Sequence, residues 1–204
     1  MILRPLLALA VGAPLLLAQR LPDNFDPVRA EREGAELTRQ LLAQAPASNY
    51  TNTGTLEIRA HGSETIRFPI RFSAFVDGDH WTGLYEALVP QTNAVLNVLA
   101  IVNTPGQPAR YYRGRPGPDT ALTDTEIATL SFAGSDYRVG DLGLDFLRWP
   151  VQRLLKKELR RGQACNVLES VHPRPPAGAP ARVVSWLDID TGGIVFAEAY
   201  DSNG

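Results

Sequence analysis

The residues of this chain that could do chemistry are few, and their spacing gives them little to work with. His61, His80 and His172 fall in or beside expected turns. They stand at no metal-ligand spacing, and none has a local carboxylate that would make it a base. Each reads as a solvated loop histidine. Ser131, Ser135 and Ser185 lack the sharp strand–turn–helix setting of a nucleophile elbow. Asp188-Ile189-Asp190-Thr191-Gly192 matches the first half of a calcium loop, but Ala199 stands where that loop needs Glu and Ile189 reads as strand. A plain hairpin explains the segment. Asp136, Asp141 and Asp145 could be a carboxylate cluster, and helix capping with surface charge accounts for them. The lone Cys165 excludes an intramolecular disulfide and reads as a buried thiol, since a reactive one needs a cationic, partly open setting. No catalytic residue, metal site or cofactor emerges, and an exported hydrolase has no nucleophile–base pair.

Two larger groups suggest binding instead. The basic run Arg148, Arg153, Lys156, Lys157, Arg160 and Arg161 could approach anionic lipid headgroups or an acidic partner, or form a solvated strand face. The aromatic set Phe68, Phe72, Trp81, Tyr85, Trp149, Trp186 and Phe196 could be simple core. A half-open sheet under short helices would instead leave part of it lining a cavity for an apolar ligand.

The elements that must position these residues start with a helix over Pro27–Ala45. Asp26 is its N-cap, Pro27 its first residue, Leu37, Leu41 and Leu42 its narrow apolar stripe, and Pro46 its stop. From Asn49 the period becomes two. Leu56 and Ile58 alternate with polar neighbours, then Ile66, Phe68, Ile70, Phe72, Ala74 and Val76 face one way. His61-Gly62-Ser63 and Asp77-Gly78-Asp79 are the turns, and Trp81 and Tyr85 share a face of the third strand. Pro69 demands an edge or a bulge. Val95–Val102 reads as a strand covered on both sides, and Arg110–Arg113 as a short one. Asp124–Leu130 and Gly140–Trp149 are helical pieces. Residues 152–160 carry leucines at helical spacing, yet Gly162-Gln163 and the run Ala164–Val171 favour a strand there. Val183–Ile189 and Ile194–Tyr200 form a last hairpin.

Net charge is −2 and the isoelectric point about 5.9, which excludes a nucleic-acid binder. Residues 2–18 place Arg4 before a short apolar run that Gly12 and Pro14 interrupt, as in a secretory signal peptide. Cleavage near Ala18 leaves one domain, 19–204, with no Cys at its new N-terminus to carry a lipid anchor. The chain stops at Asn203-Gly204, the strongest short hairpin signal, which predicts further strands beyond it.

The order of pieces is familiar. A Gly134-Ser135-Asp136-Tyr137 loop and an Asp141–Trp149 helix precede Glu158-Leu159-Arg160-Arg161-Gly162-Gln163-Ala164-Cys165-Asn166-Val167-Leu168-Glu169-Ser170. Val183-Val184-Ser185-Trp186-Leu187-Asp188-Ile189-Asp190 and Glu198-Ala199-Tyr200-Asp201-Ser202-Asn203-Gly204 follow. This resembles the outer-membrane lipoprotein-sorting proteins, relatives of the periplasmic lipoprotein carrier, mainly over residues 130–204. The resemblance implies a mainly β, α+β fold. It would be an incomplete antiparallel β-barrel, with an N-terminal helix and short lid helices over a hydrophobic cavity for lipid acyl chains. Phe68, Ile70, Phe72, Trp81, Tyr85, Phe146, Trp149, Trp186 and Phe196 are then the expected lining. Cys165 falls where similar proteins often carry Cys, and reads as packing. The expected function is non-enzymatic carriage of lipids or lipoproteins in the periplasm, with no cofactor and only transient membrane contact. The alternative is an envelope scaffold or partner-binding module using a sheet edge or the 148–161 basic run.

Overall fold

The computed structural model describes residues 25–59 and 64–202. The expected signal peptide, the His61-Gly62-Ser63 turn and the terminal Asn203-Gly204 lie outside these. Asp26 caps the first helix as its sequence predicts, accepting the N–H groups of Val28 at 3.0 Å and Arg29 at 3.3 Å. Helix α1 (Pro27–Leu42) ends before the expected Ala45. Pro46 bars the residue before it from helical geometry, so the last turn cannot form.

Among the described residues nine strands follow in two antiparallel sheets, mainly β and not closed into a barrel. The first is a five-stranded meander of β1 (Tyr50–Ile58), β2 (Ile66–Asp77), β3 (His80–Leu88), β4 (Val95–Asn103) and β5 (Arg110–Arg113). The second is a four-stranded meander of β6 (Val151–Arg160), β7 (Gln163–Val171), β8 (Arg182–Asp188) and β9 (Ile194–Tyr200). Helices α2 (Asp124–Thr129) and α3 (Val139–Leu142), then a 3-10 turn (Asp145–Arg148), join the sheets. Thr123 and Glu126 close a reciprocal capping box on α2. No helix among the described residues is long and apolar enough to cross a membrane.

One local expectation holds and three change. Strand β2 is interior to the sheet, but at Pro69 it is an edge, as expected: only β1 pairs there, because pairing with β3 begins at Ile70. The strand therefore has a free side at the residue with no N–H to give. Strand β4 is covered on both faces only from Leu99 to Val102, whereas Val95 and Leu96 are each 51% exposed. Short β5 pairs with Leu99–Val102 alone, which leaves the start of β4 as an edge. The expected Gly140–Trp149 helix breaks in two at Leu144, whose φ of +52° no helix accommodates. Strand β8 ends at Asp188, and Ile189 belongs to the turn.

The ambiguous 152–160 segment is a strand with a bulge. Register passes from Leu154↔Leu168 to Lys156↔Val167, so Leu155 is an extra residue. That insertion shifts the parity, and the leucines mimic a helical stripe.

Cross-strand partners share a face, so register fixes which side chains look inward. In the first sheet Phe72↔Tyr85↔Leu99, Ala74↔Gly83↔Ile101↔Tyr111 and Val76↔Trp81↔Asn103 share one face. Ala87, Leu99, Ile101 and Tyr111 on that face pack against Ile127, Phe132 and Val139 from α2, α3 and the loop between them. A second core seats Phe146 and Leu147 on Leu168, Val183 and Leu187, with Leu37 and Leu41 of α1 alongside. Each fully buried side chain of this kind contributes roughly 1.5–3 kcal/mol. Helix α1 reaches the second sheet because Gly34 has no Cβ: one placed there would overlap the Gln152 carbonyl of β6.

Candidate functional site

Between the inner face of the first sheet and the elements facing it lies a cavity of about 240 Å³. Phe72, Trp81, Gly83, Tyr85 and Ile101 form its sheet wall. Opposite stand Leu41 and Leu42 from the end of α1, Leu142, Leu144 and Leu147 from the lid segment, and Leu187 with Ile194 from the β8–β9 hairpin. The sheet wall is an aromatic ladder. Phe72 stacks at 4.6 Å on Tyr85, and Tyr50 approaches Phe72 at 5.8 Å between ring centroids. Gly83 leaves room for it, since a Cβ there would stand 3.1 Å from the Phe72 ring and 3.3 Å from Trp81. Tyr85 donates its hydroxyl to the Leu142 carbonyl at 2.9 Å, tying lid to sheet. Burial pushes the Tyr85 pKa up to about 12, so the phenol keeps its proton and stays a donor.

The cavity opens into a wider vestibule of about 850 Å³ that shares Leu42, Gln44, Trp81, Asn103, Leu147 and Arg148 with it. Both spaces are mostly apolar, and the vestibule wall adds the charged Arg39, Asp79 and Asp145.

The nine expected lining residues part company here. Phe72, Trp81 and Tyr85 line the cavity, and Trp149 lines the vestibule. Phe68 and Ile70 share the inner face farther along β2, Ile70 packed against the first core. Phe146 is buried beneath the lid, 6% exposed, in the second core. Trp186 and Phe196 do not reach the cavity. They pair across β8 and β9 on the opposite face of the second sheet, with Leu155, Cys165, Val167 and Val184. Leu187, one residue on, is the one that looks in. The contributions of Leu42, Leu144, Leu187 and Ile194 have no marker in the sequence, because they come from how the sheets face each other.

No family model matches the chain, and no curated protein matches it in sequence. The solved structures that match in shape include two at TM-score 0.61. One is a domain from Vibrio parahaemolyticus assigned to outer-membrane lipoprotein sorting: TM-score 0.61, 19% identity, 85% of this chain and 74% of that one covered. The other is a DUF1329 family protein from Desulfovibrio piger, with TM-score 0.61, 17% identity, and 85% and 75% covered. The chain shares the fold of these two proteins.

In this fold the basic run is largely committed to its own sheet and to α1. Arg153 bridges Glu31 of α1 at 3.0 Å and Glu169 of β7 at 3.2 Å. Lys156 pairs with Glu158 at 2.6 Å, while Arg160 lies over Trp186 and Phe196 at 4.7 and 4.2 Å. Arg148 goes elsewhere, to the junction of cavity and vestibule. Two histidines depart from the solvated-loop reading. His80 stands 3.6 Å from both Asp77 and Asp79 at the β2–β3 turn. His172 packs edge-on against Trp149 at 5.5 Å, its Nδ1 buried without a hydrogen-bond partner among the described residues. Asp141 and Asp145 are half-buried rather than surface charges, and burial raises both pKa values. Asp136 is exposed. Cys165 is free and fully buried. Asp188 accepts from Asp190, Thr191 N and Thr191 Oγ1, a closed turn rather than an ion loop. Among the described residues no group of three or more His, Cys, Asp or Glu could hold a metal.

Proposed function

We propose that this chain is a periplasmic binder or carrier of lipid acyl chains. The apolar cavity between the Phe72–Tyr85 wall and the Leu41, Leu144 and Ile194 side carries the reading. Its walls come from the first sheet, the end of α1, the lid segment and the β8–β9 hairpin, so a bound chain would be contacted from several sides rather than laid on one surface. Each methylene withdrawn from water contributes about 0.8 kcal/mol, which supplies affinity without any specific bond. The matching sorting domain in Vibrio supports the same reading by its fold. The basic run offers less to the scaffold alternative, since most of its cations already hold partners.

The test is equilibrium binding of unbranched acyl probes of increasing length to the purified protein, with mass spectrometry of co-purified lipid. Affinity is expected to rise roughly four-fold per methylene until the cavity is filled. A protein that binds no acyl probe and carries no lipid would overturn the proposal.

A further inference from the structure

Among the described residues Arg148 is the one charged side chain in the cavity wall. It ends the 3-10 turn, half-buried, and borders both the apolar cavity and the vestibule. Its two hydrogen bonds go to neutral acceptors and are long, Nη1 to the Gly143 carbonyl at 3.2 Å and Nη2 to Asn103 Oδ1 at 3.4 Å. The ion pairs of the described residues include Arg71, Arg153 and Arg182 but not Arg148. A guanidinium has five N–H donors, so most of its capacity is unspent.

Leaving a cation half-buried and unpaired is unfavourable, and an anion arriving with a ligand relieves that cost. The nearby acids fill the role only in part. Asp145 feels the Arg148 charge at a distance, which lowers its carboxyl pKa against burial, but it accepts from Trp149 Nε1 at 3.4 Å and forms no ion pair with Arg148 among the described residues. Asp79 stands beside His80 across the vestibule. Arg39, the other vestibule cation, is held by Glu36 at 2.6 Å.

We infer that Arg148 is the headgroup site for an anionic, single-chain amphiphile. The chain enters the Phe72–Tyr85 cavity, and a carboxylate or phosphate takes the guanidinium where apolar wall meets vestibule. The planar fork of donors fits either anion in bidentate fashion. The inner cavity, about 240 Å³ and below the usual range for ligand sites, has room for one chain beyond Arg148. This inference rests on the acyl-chain reading and adds to it the charge and chain number of the cargo.

Calorimetric titration of the full chain with decanoate, decyl phosphate and 1-decanol separates the two claims. The anions are expected to bind roughly ten-fold or more tightly than the alcohol, the worth of a charge-assisted bond. Arg148→Gln should bring the anions down to the alcohol's level and leave decanol nearly unchanged, while Arg148→Lys keeps most of the preference. Should Arg148→Gln also weaken decanol binding through a loosened lid, the unaltered protein still decides. Raising salt must then weaken decanoate relative to decanol. A preference for decanoate over decyl phosphate, or the reverse, identifies the anion. Equal affinity for anion and alcohol, insensitive to Arg148→Gln and to salt, overturns the headgroup site and leaves the cavity. No binding of any of the three overturns both.

Discussion

Gly143 lies directly against the Tyr111 hydroxyl: a Cβ at position 143 would overlap the phenol oxygen. Tyr111 is 2% exposed, and its hydroxyl has no hydrogen-bond partner among the described residues. The lid thus rests on the first sheet through a contact that only glycine permits. Gly143→Ala should cost about 1–3 kcal/mol by overpacking. Tyr111→Phe removes an unsatisfied polar atom and should be neutral or stabilising by up to about 1 kcal/mol. Combining the two should recover part of the Gly143→Ala loss, since residues in contact couple by about 0.5–3 kcal/mol. Urea unfolding of the four proteins measures it, and strict additivity would refute the contact.

Asp145 sets a pH dependence of defined sign. Burial raises its carboxyl pKa above the ordinary 3.8, outweighing the Trp149 hydrogen bond and the Arg148 charge that lower it. The native state therefore holds this proton more tightly than the unfolded chain, and the group's contribution falls as pH rises from 3.8 through the raised value. Asp145→Asn keeps an acceptor for Trp149 and removes the buried charge. It should unfold at higher urea than the parent at neutral pH, with the gap shrinking as both approach pH 3.8. A variant less stable at neutral pH would mean that the Asp145 charge stabilises the lid.

One wall of the cavity was legible in the sequence, and the other was not. Phe72 on β2 and Trp81 and Tyr85 on β3 alternate with polar neighbours, so period-two parity alone placed them together. Strand β8 gives no such contrast, because Val183, Val184, Trp186 and Leu187 are apolar on both faces and all buried. Large aromatics suggested Trp186 and Phe196 for the lining, but Leu187 and Ile194 have the inward register. The bulge at Leu155 hides the parity of β6 in the same way. Leu144 was hidden for another reason: nothing in its residue type announces a left-handed backbone.

Trp186 and Phe196 do another job, which Arg160 reveals. Its guanidinium covers both rings on the face away from the cavity, and Trp186 Nε1 donates to Glu158 on the same strand as Arg160. Arg160→Ala should lose about 1 kcal/mol of stability through the cation–π contact. Acyl-probe affinity should stay unchanged, because no part of this cluster lines the cavity. Thermal unfolding and probe titration on the same preparation check both halves. A loss of probe binding without loss of stability would place the ligand on the wrong face.

Phe72 and Phe75 give the sharpest test of the cavity, because one strand presents them to opposite sides. Phe72 shares the inner face with Tyr85 and lines the cavity. Phe75 pairs with Thr82 on the outer face and is 49% exposed. Chemistry and strand are the same, and only parity differs. Phe72→Ser removes the ring that stacks on Tyr85 and should weaken acyl-probe binding by roughly ten-fold or more, with about 2–4 kcal/mol of stability lost. Phe75→Ser should change probe affinity less than about two-fold and stability by under about 1 kcal/mol, as surface substitutions do. Stability alone could explain a weak Phe72 variant, so the titration is run well below its unfolding midpoint, where both proteins are fully folded. Equal loss of probe affinity in the two folded variants would place the ligand somewhere other than the inner face of the first sheet.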